Sequence, residues 1–316
     1  AFSSGPDWDS SWNSYFDYYF PVEWGYGQPK VLYSFELNND EEIVPIEAVV
    51  LTSIPIIERE GYYFGGWYDN ESLEGEPIDL PYISYDNITL YAKWVNEYPM
   101  TQSGLSYYFT DGSYIVDGYN GSDSIVFIPD TVEGFPVVGI NDCSFQENRF
   151  IRQVYLGKHI SFIGNRAFQD CSNLKKVFFN EGLEQIGEYA FSSTGLVSIN
   201  LPESILTINQ AAFYYCKYLE DVMLPYSLTE IESYVFANCY SLTDVTLSEN
   251  IERIGNGAFM YCLSLKSISI PEGVKSIEQY AFDNCSNLIE IIIPDSVTDI
   301  GNGAFYYCHR LKYVYL

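Results

Sequence analysis

Seven cysteines and two histidines are the residues of this chain whose types best suit covalent or metal chemistry. Six of the cysteines recur at one position of an internal repeat, namely Cys171, Cys216, Cys239, Cys262, Cys285 and Cys308. Equivalent residues of stacked repeats lie about 5 Å apart with parallel side chains, so their thiols do not face each other as a disulfide requires. No pair of cysteines has the C-x-x-C spacing of a zinc site. We therefore expect a column of small, buried, unpaired cysteines.

The other residues that could support catalysis carry weaker signals. His159 and His309 lie far apart in the sequence, and neither accompanies a serine or cysteine in a recognisable nucleophile motif. The acidic segments 38–42 and 111–123 lack the EF-hand pattern, so a solvated acidic surface accounts for them. No glycine-rich phosphate-binding loop occurs. The sequence thus predicts no catalytic residue, no metal site, no cofactor and no enzyme activity.

The composition narrows the classes of partner. The 316 residues include 15 Lys and Arg against 43 Asp and Glu, which gives a formal net charge of −28. Such a surface repels phosphates, so nucleic acid and anionic membrane surfaces are disfavoured as partners. A hydrophobic fraction of 47%, with 30 tyrosines and 20 phenylalanines, supplies ample material for a packed core. No stretch approaches the ~18 apolar residues of a membrane span.

A 23-residue repeat organises the second part of the chain. Its most regular residue is a phenylalanine, which recurs at Phe145, Phe168, Phe191, Phe213, Phe236, Phe259, Phe282 and Phe305. Isoleucine stands five positions before it, cysteine three after and leucine six after. Further apolar residues complete the string L-x-x-I-x-L, whose alternation predicts a short strand with one buried face.

The remaining apolar residues of the repeat predict a second buried side. In A-F-x-x-C, the phenylalanine and cysteine are three residues apart, as on one turn of a helix. A later pair, such as Val274 and Ile277, fits a helical turn or a short bent strand. A single repeat cannot bury both of its apolar sides, whereas stacked repeats can. We predict a solenoid whose interior is formed by the phenylalanine and cysteine columns.

The third repeat departs from this pattern. Thr194 stands where six of the repeats have cysteine, and Leu196 comes one position early. We expect a one-residue deletion in this turn, with a slight local kink.

The A-F-x-x-C-x-x-L string and its period resemble the BspA-like, or Treponema-type, leucine-rich repeats of bacterial surface proteins. The resemblance covers residues 104–316 and implies a leucine-rich-repeat solenoid of about eight repeats, of the α+β or mainly β class. It also implies an extracellular or cell-surface location. The chain begins without the basic and apolar segments of a signal peptide, so we expect the signal sequence to have been removed already.

A second resemblance concerns the first part of the chain. Gly61, Phe64 and Gly66-Trp67-Tyr68, followed by Leu90-Tyr91-Ala92 and Trp94, resemble the Listeria–Bacteroides repeat of the internalin B type. That family implies a small β-grasp-like module over residues 31–95. We therefore predict four segments: an acidic aromatic segment (1–30), this module (31–95), a linker (96–103) and the solenoid (104–316).

Residues between the apolar positions of each strand point outward and could meet a partner. The candidates for partner binding are the basic and apolar residues at these positions, namely Arg152, Tyr155, Lys175, Lys176, Phe178 and Met223. Aromatic residues and arginine are enriched at binding hot spots. Exposed apolar residues are also ordinary on strand faces, so the signal is not specific.

Two functions remain open from the sequence. The first is a surface or secreted interaction protein whose solenoid binds an extracellular protein, in adhesion or in recognition of a host or bacterial partner. The second is a carbohydrate-binding module or a component of a glycan-handling surface complex, suggested by the many tyrosines. The pairs Tyr214-Tyr215 and Tyr306-Tyr307 are examples of such clusters.

Overall fold

A computed structural model describes residues 30–37, 43–49, 51, 63–74, 78, 82–95 and 103–315. The chain divides into two compact units between Glu97 and Tyr98. Residues 1–29 of the predicted acidic segment and 96–102 of the predicted linker lie outside the described residues.

The first unit contains a mixed sheet of four strands. They are β1 (Val31–Glu36), β2 (Ile46–Ala48), β3 (Tyr63–Tyr68) and β4 (Ile88–Val95). Their order is β2-β1-β4-β3, in which β1 and β4 are parallel and the outer pairs are antiparallel. A parallel central pair between antiparallel outer strands agrees with the predicted β-grasp-like sheet.

Residues of the resemblance motif build the core of this sheet. Trp67 and Leu90 are buried, and the Trp94 indole donates a hydrogen bond of 2.6 Å to the Leu37 carbonyl oxygen. The register of β3 against β4 shifts between Phe64 and Trp67. Gly66, within this bulge, has φ 107°, a conformation that favours glycine.

The second unit opens with a small group of paired strands. These are β5 (Leu105–Thr110), β6 (Ser113–Tyr119), β8 (Thr131–Val132) and β9 (Phe135–Ile140). Strands β5 and β6 form an antiparallel hairpin, β6 pairs with β9 in parallel, and β8 pairs with β9 antiparallel. This group leads directly into the repeats, because β9 is also the first strand of their second row.

Each repeat then contributes one strand to each of two rows. The first row consists of three-residue strands: β7 (Ile125–Phe127), β10 (Gln153–Tyr155), β12 (Lys176–Phe178), β14 (Ser198–Asn200), β16 (Asp221–Met223), β18 (Asp244–Thr246), β20 (Ser267–Ser269), β22 (Glu290–Ile292) and β24 (Tyr313–Tyr315). The second row continues from β9 with two-residue strands: β11 (Phe162–Ile163), β13 (Gln185–Ile186), β15 (Thr207–Ile208), β17 (Glu230–Ile231), β19 (Arg253–Ile254), β21 (Ser276–Ile277) and β23 (Asp299–Ile300). The predicted solenoid of about 23-residue turns is confirmed, with about nine turns.

The phenylalanine column forms the centre of the solenoid. Neighbouring rings along the whole column, from Phe145 to Phe305, lie 4.7–5.7 Å apart between centroids and within 2–13° of parallel. All of them are buried except Phe305, which is half-buried. Such stacking adds about 0.5–1.5 kcal/mol per pair to the burial of the rings.

The cysteine column lies beside the phenylalanine column and is hydrogen-bonded to it. Each of its thiols donates to the carbonyl oxygen of the phenylalanine one repeat earlier, at 3.0–3.4 Å. Cysteine is small enough for this position and supplies a weak donor for a buried carbonyl group. All seven cysteines are unpaired thiols in the structure: Cys143 is exposed, Cys308 is half-buried and the other five are buried.

The predicted helical turn at A-F-x-x-C is wrong, and none of the described residues forms a helix. Around Phe168 the chain makes successive tight turns, because Arg166 and Asp170 have φ 56° and 60°. Left-handed residues interrupt a right-handed helix. Their N–H groups instead donate to the next repeat, from Arg166 to the Glu188 carbonyl at 2.8 Å and from Asp170 to the Ser192 carbonyl at 2.9 Å.

The first row of strands is interrupted where the third repeat is short. Strands β7, β10 and β12 pair in one group, β14, β16 and β18 in a second, and β20, β22 and β24 in a third. The first break, between β12 and β14, lies next to the shortened segment at Thr194. The second break falls between repeats of full length.

Candidate partner-binding surfaces

An aromatic stack lies on the outward side of the first strand row. Strands β7, β10 and β12 are parallel and in register, which aligns Phe127, Tyr155 and Phe178 across them. The Tyr155 ring stacks on Phe127 at 4.8 Å and on Phe178 at 4.0 Å, with interplanar angles of 14° and 6°. Residues in register on paired strands are one strand spacing apart, so rings at this position must stack.

The prediction that Tyr155 is an exposed binding residue is wrong. Its side chain is only 2% exposed, because aromatic rings cover both of its faces. Burial also raises the pKa of Tyr155 far above its ordinary value, since the ionised phenolate is disfavoured away from water. Tyr155 therefore supports the stack from within, and Phe178 at its end is half-buried.

A basic side chain, that of Lys176, borders this stack. The Lys176 ammonium lies 4.5 Å from the centroid of the Phe178 ring, a cation–π distance. Arg152 and Lys176 are half-buried, and Lys175 is exposed. Arg152 and Lys175 immediately precede β10 and β12, and Lys176 and Phe178 lie on β12. The role of these four residues in binding stays a prediction.

Met223 does not belong to this group. It lies on β16, where it pairs in register with Asn200 on β14 and Thr246 on β18. Strand β16 belongs to the second group of paired strands. Its side chain is 67% exposed. Met223 is therefore a separate outward-facing apolar residue further along the same row.

A cleft that the sequence analysis did not predict lies on the turn side of the first four repeats. We call it the short-repeat cleft, and its volume is about 670 Å³. One side is formed by the residues two positions after each phenylalanine, namely Glu147, Asp170, Ser193 and Tyr215. The other side is formed by residues four or five positions after it, namely Arg149, Ser172, Asn173, Lys217 and Tyr218.

The missing residue of the third repeat accounts for this cleft. The second and fourth repeats have two residues between the cysteine and the leucine, whereas the third has only Gly195 between Thr194 and Leu196. The buried Thr194 lines the cleft, and its hydroxyl donates to the Phe191 carbonyl oxygen at 2.8 Å. The shortened spacing was visible in the sequence, but which side of the solenoid it would open was not.

The histidines and carboxylates do not gather into a site. Among the described residues, no three or more His, Cys, Asp or Glu side chains are placed to hold a metal ion. His159 and His309 are both exposed. The described part of the chain also contains no helix of the length and hydropathy needed to cross a bilayer.

Models of known protein families match residues in both units. The model of the BspA type leucine rich repeat region matches residues 138–266 and 229–316, with six copies. The model of the Listeria-Bacteroides repeat domain matches residues 38–93. No described strand of the second unit lies outside the leucine-rich-repeat solenoid or the small group that opens it.

Two solved structures share the solenoid fold. The leucine rich repeat protein of Treponema pallidum is 29% identical, with a TM-score of 0.53 over 67% of this chain and 90% of that protein. The pneumococcal vaccine antigen PcpA is 20% identical, with a TM-score of 0.50 over 68% of this chain and 69% of that protein, a likeness of fold alone.

Two proteins of Evansella cellulosilytica, whose names class them as membrane proteins, are 34% and 35% identical over 113 residues. These matches cover 34% of this chain but only 12% and 16% of the relatives. The family models, by contrast, extend over more than half of the chain and coincide with the stacked repeats. The chain belongs to the BspA-type leucine-rich repeat family.

Proposed function

We propose that this chain is a non-enzymatic interaction protein of the bacterial surface or extracellular space, and that its first strand row binds an extracellular protein. The observation that carries the proposal is the aromatic stack of Phe127, Tyr155 and Phe178 with a basic group at its border. Family membership supports an interaction role, because leucine-rich-repeat solenoids present extended surfaces for binding.

The surface combines the two properties expected of a protein-binding hot spot. The stack holds its rings in a fixed arrangement, so little conformational freedom is lost when a partner packs on Phe178. Lys175 and Lys176 are two of only 15 basic residues in a chain of net charge −28. This local positive charge would favour a partner with an acidic patch and would orient it during approach.

Screening purified extracellular proteins against the full chain, followed by a charge reversal, tests the proposal. Lys175→Glu should weaken binding of the selected partner at least tenfold, because it replaces an attractive charge next to Lys176 in the sequence with a repulsive one. Lys266→Glu is the matched control, since Lys266 is exposed at the same repeat position four repeats away. The control should leave affinity unchanged.

Affinity that is unaffected by Lys175→Glu, or equally reduced by Lys266→Glu, would contradict the proposed surface. Substituting Met223 by alanine adds a second measure. Met223→Ala should weaken the binding of a partner whose contact surface extends along the row to β16. It should not affect a partner that contacts only β10 and β12. Circular dichroism and a thermal midpoint within the wild-type range would establish that each variant is folded.

A further inference from the structure

We propose that the short-repeat cleft binds a neutral saccharide, at a site separate from the protein-binding strand row. The cleft volume of about 670 Å³ lies within the range of small-molecule sites, which is about 300–1,000 Å³. The proposal rests on how the cleft is formed, how rigidly its residues are held, and which chemical groups line it.

The backbone of the third repeat packs tightly against the second at Gly195. A side chain at Gly195 would place its Cβ 2.5 Å from the Ser172 carbonyl oxygen, far closer than van der Waals contact. The third repeat therefore passes close to the second without a side chain at this point. The full-length loops of the second and fourth repeats, with Asn173 and Tyr218, remain on either side.

The lining residues are also held in place before any ligand arrives. Asp170, Ser193 and Tyr215 all have φ of 59–60°, and each donates its backbone N–H to the following repeat at 2.8–2.9 Å. These bonds tie the left-handed residues to a continuous hydrogen-bonded column. A site with its backbone fixed in this way loses little conformational entropy on binding.

The charges of the cleft sum to zero. Glu147 and Asp170 contribute two carboxylates, and Arg149 and Lys217 contribute two cations. This balance differs sharply from the chain as a whole, with its net charge of −28. A ligand with a net charge would gain no net attraction from this lining, whereas a neutral ligand with many donors and acceptors would find both kinds of partner.

The side-chain types favour a ligand rich in hydroxyl groups. Carboxylate, guanidinium and amide groups are planar and can each bond two adjacent hydroxyls, and Asp170, Arg149 and Asn173 supply one of each. Ser172 and Ser193 add further hydroxyl partners. No aliphatic side chain lines the cleft. A peptide segment, which binds chiefly through apolar anchors in apolar pockets, is therefore a poorer match.

Two tyrosines complete the saccharide-type lining. Tyr215 and Tyr218 are 38% and 51% exposed, so their rings can pack against the C–H face of a sugar ring. Tyr240 meets the Tyr215 ring edge-on, with centroids 5.6 Å apart. The Lys217 ammonium lies 4.9 Å from the centroid of the Tyr218 ring. Both tyrosines are thus supported by neighbouring side chains.

The experiment uses the full chain on an array of neutral oligosaccharides built from glucose, mannose, galactose and N-acetylglucosamine, followed by calorimetric titration of the best-bound member. Tyr215→Ala should weaken this binding at least tenfold. Tyr261→Ala is the matched control, because Tyr261 occupies the same repeat position with φ 60° and 39% exposure in a full-length repeat. The control should bind as the wild type does.

A second variant fills the cleft. Thr194→Cys and Gly195→Ser, with one asparagine inserted before Leu196, gives the third repeat the C-S-N-L sequence of the second. Because the inserted residue lengthens the loop and changes the backbone path at position 195, we expect this variant to fold and to lose saccharide binding. If it fails to fold, the comparison of Tyr215→Ala with Tyr261→Ala decides the question alone.

Three results would overturn the proposal: no neutral saccharide bound on the array, binding that survives Tyr215→Ala, or cleft-dependent binding of peptides in place of saccharides. Lys175→Glu should leave saccharide binding unchanged, since Lys175 lies on the strand row and not in the cleft. Loss of the protein partner and loss of saccharide binding are therefore separate outcomes, and each proposal can fail without the other.

Discussion

The sixth repeat and the third repeat differ in length by one residue, and they differ in what they offer to a ligand. In the sixth, the Cys262 thiol donates to the Phe236 carbonyl oxygen and a full-length loop follows. In the third, Thr194 replaces the cysteine, the loop is shorter, and a cleft opens beside it. The stacking of phenylalanine rings continues through the third repeat, with centroid distances of 5.2 and 5.4 Å on either side of Phe191.

This comparison shows that the interior and the outer loops respond differently to the same deletion. The rings of the core remain in register, because each is fixed by the ring above and the ring below. The loop has no such neighbour on its outer side, so a missing residue leaves a space there. A repeat protein can thus gain a binding site by shortening one loop while its stabilising core stays intact.

Alkaline pH should have the largest effect on the free energy of unfolding, and it should act through the buried cysteines of the repeats. Burial raises the pKa of Cys171 to about 12 and of Cys216 to about 11, against about 9 in an unfolded chain. The folded state holds its thiol protons in this interval while the unfolded state releases them, so stability is full below pH 9 and falls as the pH rises toward 11–12. Each deeply buried thiol costs up to about 1.4 kcal/mol per pH unit.

Urea unfolding at pH 8, 9, 10 and 11 measures this effect. Cys262→Ala should have a shallower pH dependence than the wild type, because it removes one buried thiol, although it is less stable at pH 8. A free energy of unfolding that stays constant from pH 8 to 11 would show that the thiols are not buried.

Phenylalanine substitutions compare the two repeats directly. Phe259→Ala in the sixth repeat and Phe191→Ala in the third should each cost about 3–5 kcal/mol of unfolding free energy, as large core truncations do. Both rings are fully buried. Chemical denaturation measures the costs, and a loss of only about 0.5 kcal/mol at Phe191 would mean that the core is interrupted at the short repeat.

Removal of the Thr194 hydroxyl should have an intermediate effect on the free energy of unfolding. Thr194→Val keeps the shape of the side chain but removes its hydrogen bond to the Phe191 carbonyl oxygen, which we expect to cost about 1–2 kcal/mol. Thr207→Val is the control at an exposed threonine and should change stability by less than about 0.5 kcal/mol. Equal effects of the two substitutions would remove the structural role assigned to Thr194.

Met223 should have the smallest effect on stability. Its side chain is exposed on the first strand row, so Met223→Ala should change the free energy of unfolding by less than about 0.5 kcal/mol. A loss above about 2 kcal/mol in denaturant unfolding would mean that Met223 is packed within the solenoid.

The interior could be predicted from the sequence because its apolar residues recur at the same positions of successive repeats. The column of Phe168 and Cys171, for example, follows from their recurrence at a fixed spacing. The tight turns around them could not be predicted, because Arg166 and Asp170 adopt left-handed conformations that cannot be inferred from their residue types. Hydrogen bonds to the next repeat hold those conformations, and such bonds exist only once repeats have stacked.

The candidate surfaces were predicted only in part. The position of Lys176 and Phe178 on one face of β12 followed from strand alternation. The burial of Tyr155 did not, because it depends on Phe127, which pairs with Tyr155 although the two are 28 residues apart, outside the regular period. The shortened spacing between Thr194 and Leu196 was visible in the sequence. The lining of the cleft comes from four different repeats, which only the folded chain brings together.

The most direct test of the shared interior is a count of reactive thiols without reductant, first in the native protein at pH 8 and then in denaturant. With Cys143 exposed, Cys308 half-buried and the other five buried, the structure predicts one fast-reacting thiol in the native state, a slower one at Cys308, and seven reactive thiols after unfolding. Rapid reaction of several thiols in the native protein, or fewer than seven after unfolding, would contradict a solenoid built around a buried column of unpaired cysteines.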